Sequence, residues 1–276
     1  MEAKGKDAVM EEKTIAILID GDNISPQYAE YIKSEAQHLG RIKISRLYGS
    51  ISSPTVKAWY RVMPEQGITP MLQISYANGK SIADQALTID AMDILHSGDV
   101  DMICLVSSDS DFTKLVYRIK EDGITVIGMG EKKTSQSLVN ACDEFRLLDL
   151  IYNNDLKSQN QNKQDNAQQS EKNETVEVAE DTPINVPKLE AVLKAIKGYL
   201  DNDWENLAGV GTYLSKRLPG FDSRIYGYRN ISELIREHEN LFDLKTELAE
   251  DKVHQVVYVK NKRKNNSNKK KKTTNS

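Results

Sequence analysis

The chain has 276 residues, enough for two modest domains with separate cores, and 39% hydrophobic content at a mean hydropathy of -0.56 calls for polar segments beside globular ones. No apolar run approaches the roughly 20 residues that span a bilayer, no signal-like apolar stretch follows the charged N-terminus, and two cysteines make no disulfide framework, so a cytoplasmic protein without a membrane segment is expected. The net charge of -4 hides a basic end, since Lys260, Lys262, Arg263, Lys264 and Lys269 to Lys272 fall in a stretch without an acid and leave the body more acidic than the whole.

Apolar strand candidates alternate with helix candidates from Lys13 to Leu150. The strands are Thr14–Ile19, Ile42–Tyr48, Thr69–Ile74, Met102–Val106 and Thr125–Met129, and the helices between them are Pro26–Leu39, Pro54–Met63, Ser81–Leu95, Ser110–Lys120 and Ser135–Asn140. Pro26 and Pro54 follow Ser25 and Ser53 as at helix starts, and Gly40 and Gly123 stand where helices should stop. This alternation predicts an α/β domain with a mainly parallel sheet over residues 13–152. Residues 153–182, rich in Asn, Gln, Glu, Lys and Ser, lack the large apolar side chains a core requires and read as a flexible linker. Periodicity resumes with a helical stripe at Leu189, Val192, Leu193, Ile196 and Leu200, then helices at Leu207–Leu218 and Ile231–Glu239 and a hairpin from Leu241–Leu244 and Val253–Val259. Residues 183–260 are thus expected to form a small α+β unit resembling a winged helix, and residues 261–276 a basic disordered tail.

Acids recur where strands hand over to helices. Asp20 and Asp22 follow the first strand and Asp109 and Asp111 the fourth, and in an alternating fold the strand ends beside a topological switch point face one crevice. Carboxylates gathered there repel unless a cation joins them, and oxygen ligands without a His or Cys set suit magnesium or manganese. Each acid also has a structural explanation. Asp22 reads slightly better as a turn residue. Ser110 could cap the helix after the fourth strand by itself, leaving Asp109 and Asp111 for other work. Asp20 is harder to explain away, because a carboxylate ending an apolar strand needs a cation or donors, and Asn23 is placed to hold it. Asp84 opens a helix beside an apolar stripe, with Lys80 near enough to meet a phosphate; a solvated first-turn acid is the rival reading. Asp90 and Asp93, about 240° and 180° around that helix from Asp84, are expected to face solvent. His38, His96, His238 and His254 lack metal spacing, and there is no P-loop or dinucleotide-binding glycine pattern.

Three ordered motifs, Ile17–Asn23, Lys80–Asp84 and Val106–Phe112, resemble the NYN family of PIN-like ribonucleases over about residues 13–150. The resemblance implies a PIN-like nuclease fold using Mg²⁺ or Mn²⁺, with Asp20, Asp84, Asp109 and Asp111 as catalytic metal ligands and Asn23 in support. The family often carries an acid near Asp90, which the helix geometry leaves outside the site. Trp204–Gly211, Leu214, Leu218–Asp222 and Tyr226–Ile235 are similar to an OST-HTH, or LOTUS, domain, which implies RNA or protein binding. Trp204, Phe221 and Tyr226 are expected in its core. Lys216, Arg217, Arg224 and Arg229, with Lys80 and the tail lysines Lys269, Lys270, Lys271 and Lys272, are the expected RNA contacts.

The combined reading is a cytoplasmic metal-dependent endoribonuclease whose second domain holds RNA or a protein partner. One rival is a haloacid-dehalogenase-like phosphatase with Asp20 as nucleophile, Asp22 as acid and Ser107 and Lys132 in support. Another is a non-catalytic RNA-binding regulator whose first domain is a scaffold or homodimer surface.

Overall fold

A computed structural model describes residues 12–74, 82–153, 186–200, 203–218, 220–249 and 255–262. Lys80, most of the expected linker and the tail from 263 onward lie outside the described residues. The first domain runs β1 (Thr14–Asp20), α1 (Ala29–Leu39), β2 (Arg41–Ser50), α2 (Pro54–Trp59), α3 (Met63–Gln66), β3 (Thr69–Gln73), α4 (Ile82–Ser97), β4 (Met102–Val106), α5 (Thr113–Glu121), β5 (Thr125–Gly130), α6 (Gln136–Ala141) and β6 (Glu144–Leu147), closed by helical residues 148–153 (α7). The second comprises α8 (Leu189–Tyr199), β7 (Glu205–Asn206), α9 (Leu207–Arg217), α10 (Ile231–Arg236), β8 (Phe242–Leu248) and β9 (Gln255–Asn261).

The six strands of the first sheet stand in the order β3-β2-β1-β4-β5-β6, and every neighbouring pair is parallel. The expected parallel sheet is therefore present, with β6 added at an edge where no strand was predicted. From β1 the chain builds outward to β3, then crosses back through α4 to β4 on the other side of β1. This reversal puts the topological switch point between the ends of β1 and β4. Alternation sends Ile15, Ile17, Ile19, Met102, Cys104 and Val106 to a core under α1 to α3. Ala16, Leu18, Ile103 and Leu105 enter a second core under α4 to α6. Cys104 and Cys142 are both buried, and burial pushes both thiols up to about 12, so they act as packing residues.

Short helices frame the β1 end. Trp59, fully buried on α2, donates its indole N–H to the Ile24 carbonyl at 2.9 Å and so fixes the turn that carries Asn23. Gly21 is needed there because a Cβ would stand 2.6 Å from Leu47 Cδ2 and 3.0 Å from the Tyr48 carbonyl, which accepts the Gly21 N–H at 2.7 Å.

The second domain has its own apolar cluster, from Val192 and Ile196 through Leu207, Val210 and Leu214 to Phe242 and Val259. Its sheet is β7-β9-β8, antiparallel throughout, so the expected hairpin gains a third, two-residue strand. Phe221 is buried and Tyr226 half-buried as expected. Trp204 is the correction: it is 38% exposed, with Lys245 Nζ 4.8 Å from its ring centroid, because it precedes β7 at the edge of the wing rather than lying inside it.

Candidate active site

Asp20 is the centre of the crevice. Its strand parity continues Ala16 and Leu18, so its side chain points to the α4 side of the sheet, and it is only 1% exposed. Asn23 donates its amide N–H to Oδ2 at 2.8 Å and its backbone N–H to Oδ1 at 3.3 Å, while Ser107 donates its hydroxyl to Oδ2 at 2.7 Å. Burial raises Asp20 to about 6 and the nearby Asp84 charge pushes the same way, against the lowering effect of the Asn23 and Ser107 bonds. The carboxylate is thus positioned by three donors and still short of compensation for its charge.

Ser107 was legible only as part of the phosphatase alternative. Continuing the β4 alternation past Ile103 and Leu105 would have found it, since the residue after Val106 must face the Asp20 side. Its Oγ also accepts the Asp109 backbone N–H at 3.0 Å, which fixes the direction in which the hydroxyl donates. Asp109, not Ser110, caps the short 3-10 turn Ser110–Phe112, accepting the Asp111 N–H at 2.9 Å, because extended backbone at 109 brings its carboxylate over the free N–H groups. Asp111 is exposed. Asp84 and Asp111 line one groove of about 430 Å³ with Gln85, Thr88, Ile89 and Phe112. A hollow of about 540 Å³ on the α1 side contains none of the four candidate acids.

Asp22 accepts the Ser50 N–H at 3.0 Å and ties the ends of β1 and β2, a structural duty in line with its reading as a turn residue. Asp90 differs from expectation. It is half-buried and ion-paired with Arg46 Nη1 at 2.6 Å, and it accepts the Tyr48 hydroxyl. Burial and the Asp90 charge hold the Tyr48 pKa high, so the phenol stays a donor. Asp93 is exposed, as expected. Replacing Arg46 by Met should destabilise the protein by about 1–3 kcal/mol, because Asp90 loses its charged partner beside a buried ring. Urea unfolding that places Arg46→Met within a few tenths of the parent would show that the pair is a bystander.

Among the described residues no three His, Cys, Asp or Glu side chains converge closely enough to enclose a metal ion. The donors nevertheless suit a hard divalent cation that keeps much of its water shell and takes one or two carboxylates directly. The undercompensated Asp20 beside Asp84 has the charge for that, and Asp111 faces the same groove as Asp84.

On the second domain Lys216, Arg217 and Arg229 are exposed. Arg224, expected to meet RNA, is instead engaged by carboxylates: Asp222 Oδ2 lies 2.7 Å from Nη2 and Glu35 Oε1 2.6 Å from Nη1. The sequence gives no sign of the Glu35 contact because the partners are 189 residues apart.

Comparison with known proteins agrees with this division. The NYN domain family model matches residues 14–149, and the OST-HTH/LOTUS domain model matches residues 186–253. No curated protein matches the chain. Among solved structures, a protein of unknown function from Vibrio parahaemolyticus is similar at 25% identity, covering 54% of this chain and 96% of its own, with a TM-score of 0.44. An uncharacterized protein from Nitrosomonas europaea is 29% identical, covering 36% of this chain and 93% of its own, with a TM-score of 0.24.

Proposed function

For this chain, an NYN domain followed by an OST-HTH/LOTUS domain, we propose a divalent-cation-dependent endoribonuclease in which the second domain holds the RNA that the first one cuts. NYN is a PIN-like, nuclease-type domain and OST-HTH an RNA-binding one, so an RNA-directed nuclease is the natural reading. The observation that carries it is Asp20: a buried carboxylate at the switch point, raised to about 6 and facing a second acid, is an arrangement a fold does not need for itself.

Asp20 and Asp84 would hold Mg²⁺ or Mn²⁺, with Asp111 reaching it through the ion's water shell and Asp109 at the same strand end. The bound cation supplies Lewis-acid charge against the phosphodiester. Asn23 and Ser107 lock the Asp20 carboxylate in one orientation, so no reorganisation is needed when substrate arrives. The groove beside Asp84 and Asp111 gives a backbone phosphate room to approach, and Gln85 and Thr88 offer it neutral donors. Lys80 remains a candidate phosphate contact. On the second domain Lys216, Arg217 and Arg229 are the proposed RNA contacts, and the tail lysines Lys269 to Lys272 would add salt-sensitive attraction. A protein partner for the second domain and a homodimer belong to the same proposal. Buried, unpaired Cys104 and Cys142 agree with a cytoplasmic setting, and among the described residues no helix is long and apolar enough to cross a membrane.

The test is cleavage of mixed RNA and DNA oligonucleotides by purified full-length protein, with Mg²⁺, with Mn²⁺ and with chelator. RNA should be cut internally only when metal is present, and Asp84→Asn should slow cutting by about 10²-fold or more. Equal cutting by Asp84→Asn, or cutting undiminished in chelator, would remove this centre from the reaction. Metal-independent RNA binding without any turnover would leave the regulator reading in its place.

A further inference from the structure

Glu35, on α1, is 9% exposed although it carries a charge, and its partners come from two domains. Arg146 of β6 lies 3.5 Å away through Nε, and that nitrogen is buried without a hydrogen bond. Arg224 of the OST-HTH domain approaches with its planar fork, Nη1 to Oε1 at 2.6 Å and Nη2 to Oε2 at 3.1 Å, a two-point geometry that Lys could not reproduce. Asp222, also 9% exposed, clamps the other side of the same guanidinium, accepting from Nε at 3.0 Å and from Nη2 at 2.7 Å. Asp222 further caps the 3-10 turn Ser223–Tyr226 by accepting the Arg224 N–H at 2.9 Å, so the arginine's backbone is fixed as well. Burial works against the charged guanidinium, but Asp222 and Glu35 outweigh it and hold Arg224 protonated.

The contact also has an apolar part. Ile225, next to Arg224, and Val186, at the start of the OST-HTH match, both pack against the α4-side core of the NYN domain. The Tyr226 hydroxyl donates to the Pro187 carbonyl, binding that entry segment to the same turn. A carboxylate as buried as Glu35 is costly unless paired, and in the NYN domain alone its close cationic partner is Arg146 at a long 3.5 Å. The burial of Glu35 and the bidentate reach of Arg224 make sense together.

We infer that Glu35 and Arg224 form a latch that docks the OST-HTH domain on the NYN domain, so that holding and cutting act on one RNA at a fixed separation. The docking stands on the geometry above; the fixed separation rests on the nuclease reading. The latch should loosen with salt less than a surface pair would, because its charges are largely shielded from solvent.

The decisive experiment uses the full chain with Glu35→Arg, Arg224→Glu and the conservative Arg224→Lys, followed by small-angle scattering and by the distance between two site-specific spin labels, one on each domain. Each single reversal should lengthen and broaden the interdomain distance, and Arg224→Lys, which keeps the charge but not the two-point fork, should do so less. Should Glu35→Arg fail to fold, Arg224→Glu, on the smaller domain, reads the same opening. An unchanged distance in a folded reversal overturns the latch. On a long RNA with one OST-HTH binding element, the parent should cut at a narrow spacing from that element, and Arg224→Glu should spread the cuts. Spread cuts in both proteins would overturn the fixed separation. If no protein cuts, the nuclease reading fails while the distance measurements still decide the docking.

Discussion

Replacing Asp20 by Asn is expected to lower RNA cleavage by about 10²–10³-fold, the scale on which a single preorganised electrostatic group acts, while making the cation-free protein more stable above pH 6. The opposite signs have one cause. A carboxyl raised from 3.8 to about 6 binds its proton more tightly in the folded state than in the unfolded one. Its favourable contribution is therefore present below about pH 4 and fades as pH rises to about 6, with a ceiling of about 3 kcal/mol at 1.36 kcal/mol per unit. Asn resembles the neutral acid at every pH and avoids that loss. It cannot accept from Asn23 and Ser107 as a carboxylate does, so a net gain of about 1–2 kcal/mol is the expected result. Thermal unfolding from pH 4 to pH 8 in chelator measures it: the two curves should cross, the variant melting below the parent at acid pH, where the neutral acid keeps its bonds, and above it beyond pH 6. Millimolar Mg²⁺ should raise the parent more than the variant. Parallel curves across the range would show that Asp20 is not held against its charge.

Trp59→Ala should destabilise the protein by about 3–5 kcal/mol, since a fully buried indole leaves a cavity behind Ile24 and its carbonyl loses its donor. Trp59→Phe separates packing from hydrogen bonding. It should cost about 1–3 kcal/mol and let the Asp20 to Ile24 turn shift, so that activity falls because Asn23 no longer meets Oδ2 at 2.8 Å. Urea unfolding of both variants, with cleavage measured on Trp59→Phe well below its transition, tests this. Full activity in a measurably destabilised Trp59→Phe would free the turn from this role.

Much of the fold was legible because the strands are long and apolar on both faces, which leaves little else for Thr14–Asp20 or Met102–Val106 to be. The four residues of β6 and the two of β7 carry too little pattern to separate from loop, and only pairing with a finished sheet defines them. Asp20 stood out because a carboxylate at the end of an apolar run has no ordinary explanation. Asp90 was misplaced for a geometric reason. Angles measured from Asp84 put it on the far side, yet the buried stripe of Ala83, Leu87, Ala91, Ile94 and Leu95 is centred about 50° to one side of Asp84, so Asp90 lies on the other flank of that same stripe. Arg46 and Tyr48, two strand residues on one face of β2, then reach it. The engagement of Arg224 by Glu35 was beyond sequence patterning, which shows what a segment does with its neighbours and not which distant surface it will meet.

The strand order bears on how the chain is made. β1 leaves the ribosome first and ends up in the middle of the sheet, between β2 and β4, and the Asp20 to Ser107 bond joins residues 87 apart. At roughly 5–20 residues per second, one side of the most apolar strand stays unpaired for several seconds of synthesis. The β4-side edge of β1, with Ala16 and Leu18 on the face that α4 to α6 will cover, is on offer through that interval, to a chaperone or to a neighbouring nascent chain. Slowing translation after β3 should therefore reduce the soluble yield, whereas the same pause placed after β6 should leave it unchanged.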